Sequence, residues 1–570
     1  MLLLVGETLT QIHLVINMML TLLSYSRAKA YYESGVWQQD TFYSLIQQHA
    51  KTNPQGFALR DGSQRLTWFE LLNWVDHISE QLANAGLKAG DRVAIWLPSR
   101  VEGIASFLAC SRNGYVACTS LHQNYTLQEI SEFLKRSRSV VLIMMPGYGG
   151  NKDPQALTSM ANELNDLKQI FSVDDTWEDL FLGLSQKKNP LGMDQPLPSI
   201  HNDPDSIVYL AFTSGTTGTP KGVMHSNNTL LANGRAMLDI WQYPKSTIML
   251  SISPMSHHIG TVALEQWAVG GYELVLNNPP TGLSIIDWII ETKANYILGV
   301  PTHAIDILGH LQHLGLSHLG DVNIFYMAGS IIPIEVAKSF LAMGITPQNI
   351  YGMTENGSHQ FTAPTDDAKT IVETCGRAAR GYETVIVDQN NSNIYLGAGQ
   401  VGEIATRGGL LMLGYYDNQQ ATEDSFNHDG WFLSGDLGLL DHRGCLQIIG
   451  RKKDLIIRGG HNIYPSYLED LAHRHPAIIK CAAFGVPDLR LGEKVAMTLL
   501  LKEGHSIHAA DFLMHLHLAG LSKYDMPEYF GIVNEFPVTA SGKILKRELL
   551  EMFKKDILRL DPVRFTEPKP

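Results

Sequence analysis

Cysteine is scarce in this chain: five residues among 570, at Cys110, Cys118, Cys375, Cys445 and Cys481. An odd number, scattered without paired spacing, excludes a disulfide framework and the close cysteine pairs of a structural zinc site. Positive charge is also short, with 44 Lys plus Arg against 57 Asp plus Glu and a formal net charge of −13. So acidic a chain is a poor binder of nucleic acid. Long apolar runs are missing too. The apolar start is broken by Glu7, Gln11, His13 and Asn17, and no Lys or Arg precedes Arg27. Such a stretch is too polar to span a bilayer and lacks the basic opening of a signal peptide. It reads as a tail outside the fold, an extension ahead of a start at Met18 or Met19, with a membrane-surface helix as the alternative. The end, Thr566-Glu-Pro-Lys-Pro570, carries no peroxisomal or prenylation signal. Internal repeats and low-complexity segments are absent. What these absences leave is a cytoplasmic globular protein, monomer or homodimer, without stable membrane insertion.

What is present is ordinary in bulk, 44% hydrophobic and 18% charged, but too long for one hydrophobic core. The chain divides into a tail (1–30), a large domain (31–449) and a small one (450–570). From Asp40 to Met145 helix and strand alternate: Phe69 to Ala85 has helical periodicity, Arg92 to Leu97 reads as a buried strand, Glu102 to Arg112 as a helix, and Val140 to Met145 as a strand. Residues 146–205 read as loops with a short helix. A second βα series places strands at 248–252, 273–276, 295–300, 323–327 and 349–353. Two doubly wound α/β halves would bring their loops to a common crevice. After Val385 the strands shorten and crowd, as in Val401 to Arg407 and Gly444 to Ile449, which predicts a small β-barrel. The last hundred or so residues predict a compact α+β domain.

The most informative stretch is an apolar strand, Ile207 to Phe212, emptying into Thr213-Ser-Gly-Thr-Thr-Gly-Thr-Pro-Lys-Gly222. Gly215, Gly218 and Gly222 free the backbone to turn N–H groups towards an anion. Thr213, Ser214, Thr216, Thr217 and Thr219 add hydroxyl donors, and Lys221 adds a mobile positive charge, a set suited to nucleotide phosphates. The spacing is not that of the Walker loop, because Gly218 is followed by Thr-Pro-Lys-Gly.

This loop resembles the signature of the adenylate-forming superfamily, which activates a carboxylate with ATP and passes the acyl group to a thiol. The resemblance extends over residues 31–553 through several further motifs. In Tyr351-Gly-Met-Thr-Glu355 it implies that Tyr351 stacks on adenine, Thr354 meets the α-phosphate and Glu355 holds Mg²⁺. It implies ribose binding by Asp436 in Gly435-Asp-Leu-Gly438, and ribose or phosphate contact by Arg451. Lys453 falls at the position where such enzymes pivot their small domain. Gly460 matches the glycine lining the tunnel for the thiol arm of coenzyme A. His257 in Ser253-Pro-Met-Ser-His257, Gly299, Ala328, Gly329 and Met353 fall in the loops of the acyl pocket, and Ser330 borders the nucleotide. Lys543, in Ser541-Gly-Lys-Ile-Leu-Lys-Arg547, matches the lysine that reaches the reacting carboxylate during adenylation. Catalysis would thus rest on Lys543, Thr354, Glu355 and Lys221.

The implied reaction is an acid–thiol ligase using ATP, Mg²⁺ and coenzyme A. The opening Ala28 to Trp37 and the Ser253 to His257 loop resemble cyclohexanecarboxylate-CoA and medium-chain acyl-CoA ligases, which implies a cyclic, aromatic or medium-chain aliphatic acid. Ala328 and Gly329 would leave room for a bulky apolar acyl group. An aryl-acid or fatty-acid AMP ligase loading a phosphopantetheinyl carrier protein is the second reading. A nucleotide-binding protein without catalysis is the third, and it leaves Glu355, Lys453, Gly460 and Lys543 without a purpose.

Overall fold

The computed structural model describes residues 24–150, 164–173, 198–213, 220–538 and 544–566. Two large sheets share one interior. The first has seven strands in the order Gly414–Tyr415, Lys221–Ser226, Ile207–Thr213, Val116–Cys118, Arg92–Trp96, Ser139–Met144, Gln169–Ser172. Its interior pairs are parallel, and the Ile207–Thr213 strand then pairs antiparallel with Lys221–Ser226. The second sheet has nine strands, with a parallel centre running through Glu273–Leu276, Ile248–Ser251, Tyr296–Gly299, Ile324–Met327 and Thr346–Met353. The first four of these strands read as near-continuous apolar runs because both their faces are covered.

The helix Val101–Asn113 is buried along its whole length, which a helix achieves only when packed on every side. It lies in a core that takes Val93 and Ile95 from the first sheet and Leu59, Leu274 and Leu298 from the second. Helices Asn227–Trp241 and His258–Gly270 enter the same core. Helices Ile285–Thr292, Pro301–Leu314 and Ile334–Ala342 enclose a separate cluster with the second sheet. All five cysteines are free and buried, so they act as small apolar side chains.

Three expectations are revised. Residues 25–30, assigned to a tail, belong to the helix Tyr25–Glu33, where Ala28 packs against the main core and Tyr31 and Tyr32 meet Trp37. The stretch 146–205 contributes the edge strand Gln169–Ser172 to the first sheet. The short strands expected to close a barrel form a four-stranded antiparallel sheet, Tyr382–Val387, Gly402–Gly408, Phe432–Leu440 and Leu446–Arg451, whose outer strands do not pair among the described residues. Four short strands give too little circumference to close.

After the turn Lys452–Asp454 the chain enters a six-stranded sheet centred on the long antiparallel pair Ile478–Asp488 and Gly492–Leu501. Two clusters cover it, one with helices Pro465–His473 and Ala509–Leu518 and the other with Lys546–Lys554. Among the described residues no helix is long and apolar enough to cross a membrane.

Candidate active site

The carboxyl ends of the two sheets meet, with His122 Nδ1, past the strand Val116–Cys118, 3.1 Å from Ser256 Oγ, past the strand Ile248–Ser251; open α/β sheets place their ligands in the crevice outside such ends. From the second sheet, Thr346–Met353 ends in a tight turn closed by the Met353 N–H donating to Asn356 Oδ1 at 2.9 Å. Gly352 has no room for a side chain there, since an added Cβ would lie 1.9 Å from the Gly357 carbonyl oxygen. The turn presents Tyr351, Thr354 and Glu355. The Tyr351 hydroxyl donates to Asp436 Oδ2 at 3.0 Å, and Arg451 Nε lies 3.3 Å from Asp436 Oδ1. Asp436 and Arg451 face each other across antiparallel strands. Three residues separated by up to a hundred positions therefore form one aromatic, acidic and basic group. Burial, then the Asp436 charge, hold the Tyr351 phenol well above its ordinary range, so it stays a donor.

Glu355 is buried, and its Oε1 accepts from the Tyr415 hydroxyl at 3.1 Å. Lys221 Nζ stands 4.7 Å from the centre of the Tyr415 ring. Desolvation raises the Glu355 pKa, while the Tyr415 hydrogen bond and the Lys221 charge pull it down. A carboxylate so placed is short of positive charge, and the donor is hard oxygen, so it fits a hard divalent cation.

Two members of this site escaped the sequence reading. Tyr415 follows Gly414, in a two-residue strand that pairs with Lys221–Ser226, and the run Gly414-Tyr-Tyr416 gave no sign of a partner 60 residues away. His225 stands next to last in that same partner strand. Its Nε2–H donates to the Thr354 carbonyl at 2.6 Å, while Nδ1 lies 2.9 Å from Thr229 Oγ1. Burial pushes its pKa down to about 4, so the ring is neutral at pH 7. His225 thus joins the strand that carries Lys221 to the turn that carries Thr354 and Glu355.

The loops expected to form the acyl pocket lie at neighbouring strand ends. His257 Nδ1 accepts from the Ile259 N–H at 3.3 Å, capping the helix His258–Gly270. The Ala328 N–H donates to the Gly299 carbonyl at 3.4 Å, joining the two other loops. Gly329 adopts φ +96°, which favours glycine, and Ser330 is exposed. Thr213 is the last residue of its strand; Ser214, Gly215, Thr216, Thr217, Gly218 and Thr219 lie outside the described residues, as does Lys543.

Lys453 lies in the turn between the four-stranded sheet and the last domain, its pKa lowered by partial desolvation and then by Arg451. Beside it, Lys452 Nζ pairs with the buried Glu403 at 2.8 Å, and Glu403 also accepts the Gly435 N–H at 3.1 Å. Gly460 is not drawn into this group. It occupies an exposed hairpin turn at φ +85°, with nothing within 4 Å of an added Cβ.

The strand Ile207–Thr213, an aromatic–acid–base cluster and a buried carboxylate near a lysine are groups suited to handling a nucleotide. Residues 46–416 match the AMP-binding enzyme family, and residues 467–543 match the AMP-binding enzyme C-terminal domain. The chain belongs to that family of adenylate-forming, AMP-producing ligases. It is 31% identical over 540 residues to the YngI protein of Bacillus subtilis (strain 168), covering 90% of this chain and 96% of that one. It is 29% identical over 560 residues to the medium-chain fatty-acid–CoA ligase of Escherichia coli (strain K12), covering 95% of each. Its fold is similar to that of ATP-bound MatB from Rhodopseudomonas palustris, with TM-score 0.78 at 24% identity over 90% of this chain and 99% of that one.

Proposed function

We propose that the protein is an acid–CoA ligase that joins a carboxylic acid to AMP with release of pyrophosphate, then transfers the acyl group to coenzyme A. The observation that carries this reading is the Tyr351–Asp436–Arg451 cluster beside Glu355 and Lys221 at one crevice. Two family matches along the chain and relatives named as acyl-CoA ligases support it.

A carboxylate is a poor acyl donor because its leaving group would be oxide, and ATP supplies a better one. The acid is already ionised near pH 7, so its oxygen attacks the α-phosphate without a general base. The site's task is positioning and positive charge. In this reading Tyr351 stacks on adenine and Asp436 accepts from the ribose hydroxyls, for which its present partners, Tyr351 and Arg451, hold it in place. Thr354 meets the α-phosphate, while Lys221 and the donors of residues 213–219 hold the outer phosphates, with Ser330 at the nucleotide's edge. Lys543 neutralises charge where the acid meets the α-phosphate. Glu355 holds Mg²⁺, which when bound offsets phosphate charge. His257, Gly299, Ala328, Gly329 and Met353 line the acyl pocket, and the acid is cyclic, aromatic or medium-chain aliphatic. For the second step the small domain turns about Lys453 and brings Gly460 to the thiol path.

The test is thiol-dependent AMP release by the purified full chain with ATP, Mg²⁺ and a panel of acids, comparing free coenzyme A with a phosphopantetheinyl carrier protein. Turnover with coenzyme A is the expected result. Acid-dependent pyrophosphate exchange that only the carrier protein draws forward would overturn the CoA step and leave adenylation. No exchange with any acid would overturn the whole reading.

A further inference from the structure

One face of the helix His258–Gly270 carries polar groups that the mechanism above does not use. His258 and Glu265 are seven residues apart, two turns along one face. The His258 ring centre lies 5.9 Å from those of Tyr209 and His225, nearly parallel to the latter. Both its nitrogens are shut off from solvent without a hydrogen-bond partner among the described residues. Glu265 is fully buried; its Oε2 accepts from Asn233 Nδ2 at 2.5 Å, and its Oε1 has no partner. Between them Thr261 donates to the Tyr209 hydroxyl at 3.3 Å. Burial favours the neutral form of both side chains, raising Glu265 and lowering His258.

A buried polar atom left unpaired is costly, so such atoms are few in a folded protein and each one calls for a purpose. Here they share a helix with His257, one of the residues assigned to the proposed acyl pocket. His258 follows His257 directly, and its neighbour His225 holds the carbonyl of Thr354. Asn233, the partner of Glu265, also accepts from the Ser358 N–H at 3.1 Å, and Ser358 Oγ lies 2.8 Å from the hydroxyl of Tyr326, two residues before Ala328. A pocket serving a plain hydrocarbon chain has no use for a carboxyl and an imidazole at its end.

We propose, on the footing of the ligase reading, that His258 and Glu265 form a polar end to the acyl pocket. They select acids carrying a neutral hydroxyl or carbonyl group remote from the reacting carboxylate over hydrocarbon acids of the same size. A neutral carboxyl offers a donor and an acceptor, and a neutral imidazole offers one of each. Neither offers the positive charge that a second carboxylate would need.

The experiment compares kcat/KM for AMP release with matched pairs: medium-chain acids with and without a terminal hydroxyl or keto group, and benzoates with and without a ring hydroxyl. The expected result is a preference of about tenfold or more for the polar member of at least one pair, the net worth of about one hydrogen bond. Glu265→Leu should remove or reverse that preference, and Glu265→Gln should keep most of it. If Glu265→Leu does not fold, His258→Phe carries the same expectation. Preference for the hydrocarbon member throughout, or a preference that survives both Glu265→Leu and His258→Phe, overturns the inference and assigns the orphan atoms to bound water. Turnover of acids without polar preference would leave the ligase reading intact; no turnover of any acid would overturn both.

Discussion

At the scale of single residues, His225 shows how one side chain can act on a site through another residue's backbone. Its one hydrogen bond to the Thr354 carbonyl fixes the turn from which Thr354 and Glu355 project. His225→Ala is expected to lower the rate of acid-dependent pyrophosphate exchange about five- to tenfold, the equivalent of one well-placed hydrogen bond. Gln, which can donate to the same carbonyl, should restore part of it while KM for ATP changes little. The same ring predicts a pH dependence of stability. The unfolded chain takes up this proton as pH falls through about 6.5, whereas the folded ring resists it down to about 4. Stability is therefore complete above the unfolded value and is lost as pH falls from there towards the folded one. The urea midpoint should drop between pH 7 and pH 4.5, and His225→Gln should make that drop shallower. His258 and His359, both lowered by burial, act in the same direction.

At the scale of elements, the site depends on how closely pieces of secondary structure approach. The helices Asn227–Trp241 and His258–Gly270 meet at Gly234, where an added Cβ would lie 2.5 Å from the Glu265 carbonyl oxygen. Backbone cannot yield as a side chain can, so Gly234→Ala should cost about 1–3 kcal/mol by chemical denaturation. An unchanged midpoint would mean that the helices slide apart freely. A second contact joins the four-stranded sheet to the turn Lys452–Asp454. Glu403 holds both the Gly435 N–H, beside Asp436, and Lys452, beside Lys453. Glu403→Ala should raise KM for ATP about fivefold or more by freeing the Asp436 turn. Glu403→Gln, which keeps the acceptor for Gly435, should fall between. Equal KM in all three proteins would show that the turn holds itself.

For the whole molecule, the question is how one crevice serves two reactions. Ser466 donates to the Ile449 carbonyl across the turn that contains Lys453, and Gly460 stands away from the Tyr351 cluster. A small domain that turns about Lys453 would exchange Lys543 for Gly460 at the reacting carbonyl. Lys543→Ala then separates the steps: adenylation should fall roughly a hundredfold or more, whereas thioester formation from supplied acyl-AMP should persist, both read by product release. Equal loss in both steps would rule out exchange of poses.

The βα rhythm, the strand ahead of residue 213 and the motif around Tyr351 were legible in the chain because each is local. Periodicity reports which face of a strand or helix is buried, and the strands at 273–276 and 139–144 lie where it placed them, to within a residue. Tyr351, Glu355, Asp436 and Arg451, which the fold brings near one another, stand in short motifs that can be singled out from the order of residues alone. Tyr415, His225, Glu403 and Glu265 could not be. Each matters through a partner tens to hundreds of positions away, and no local pattern encodes such a meeting. The open four-stranded sheet was likewise decided by register between distant strands. The sequence alone determined the kind of chemistry this protein is equipped for. Only the folded chain decided which buried groups support that chemistry and which are left without partners, because burial and hydrogen bonding are properties of packed neighbours and not of the order in which residues are joined.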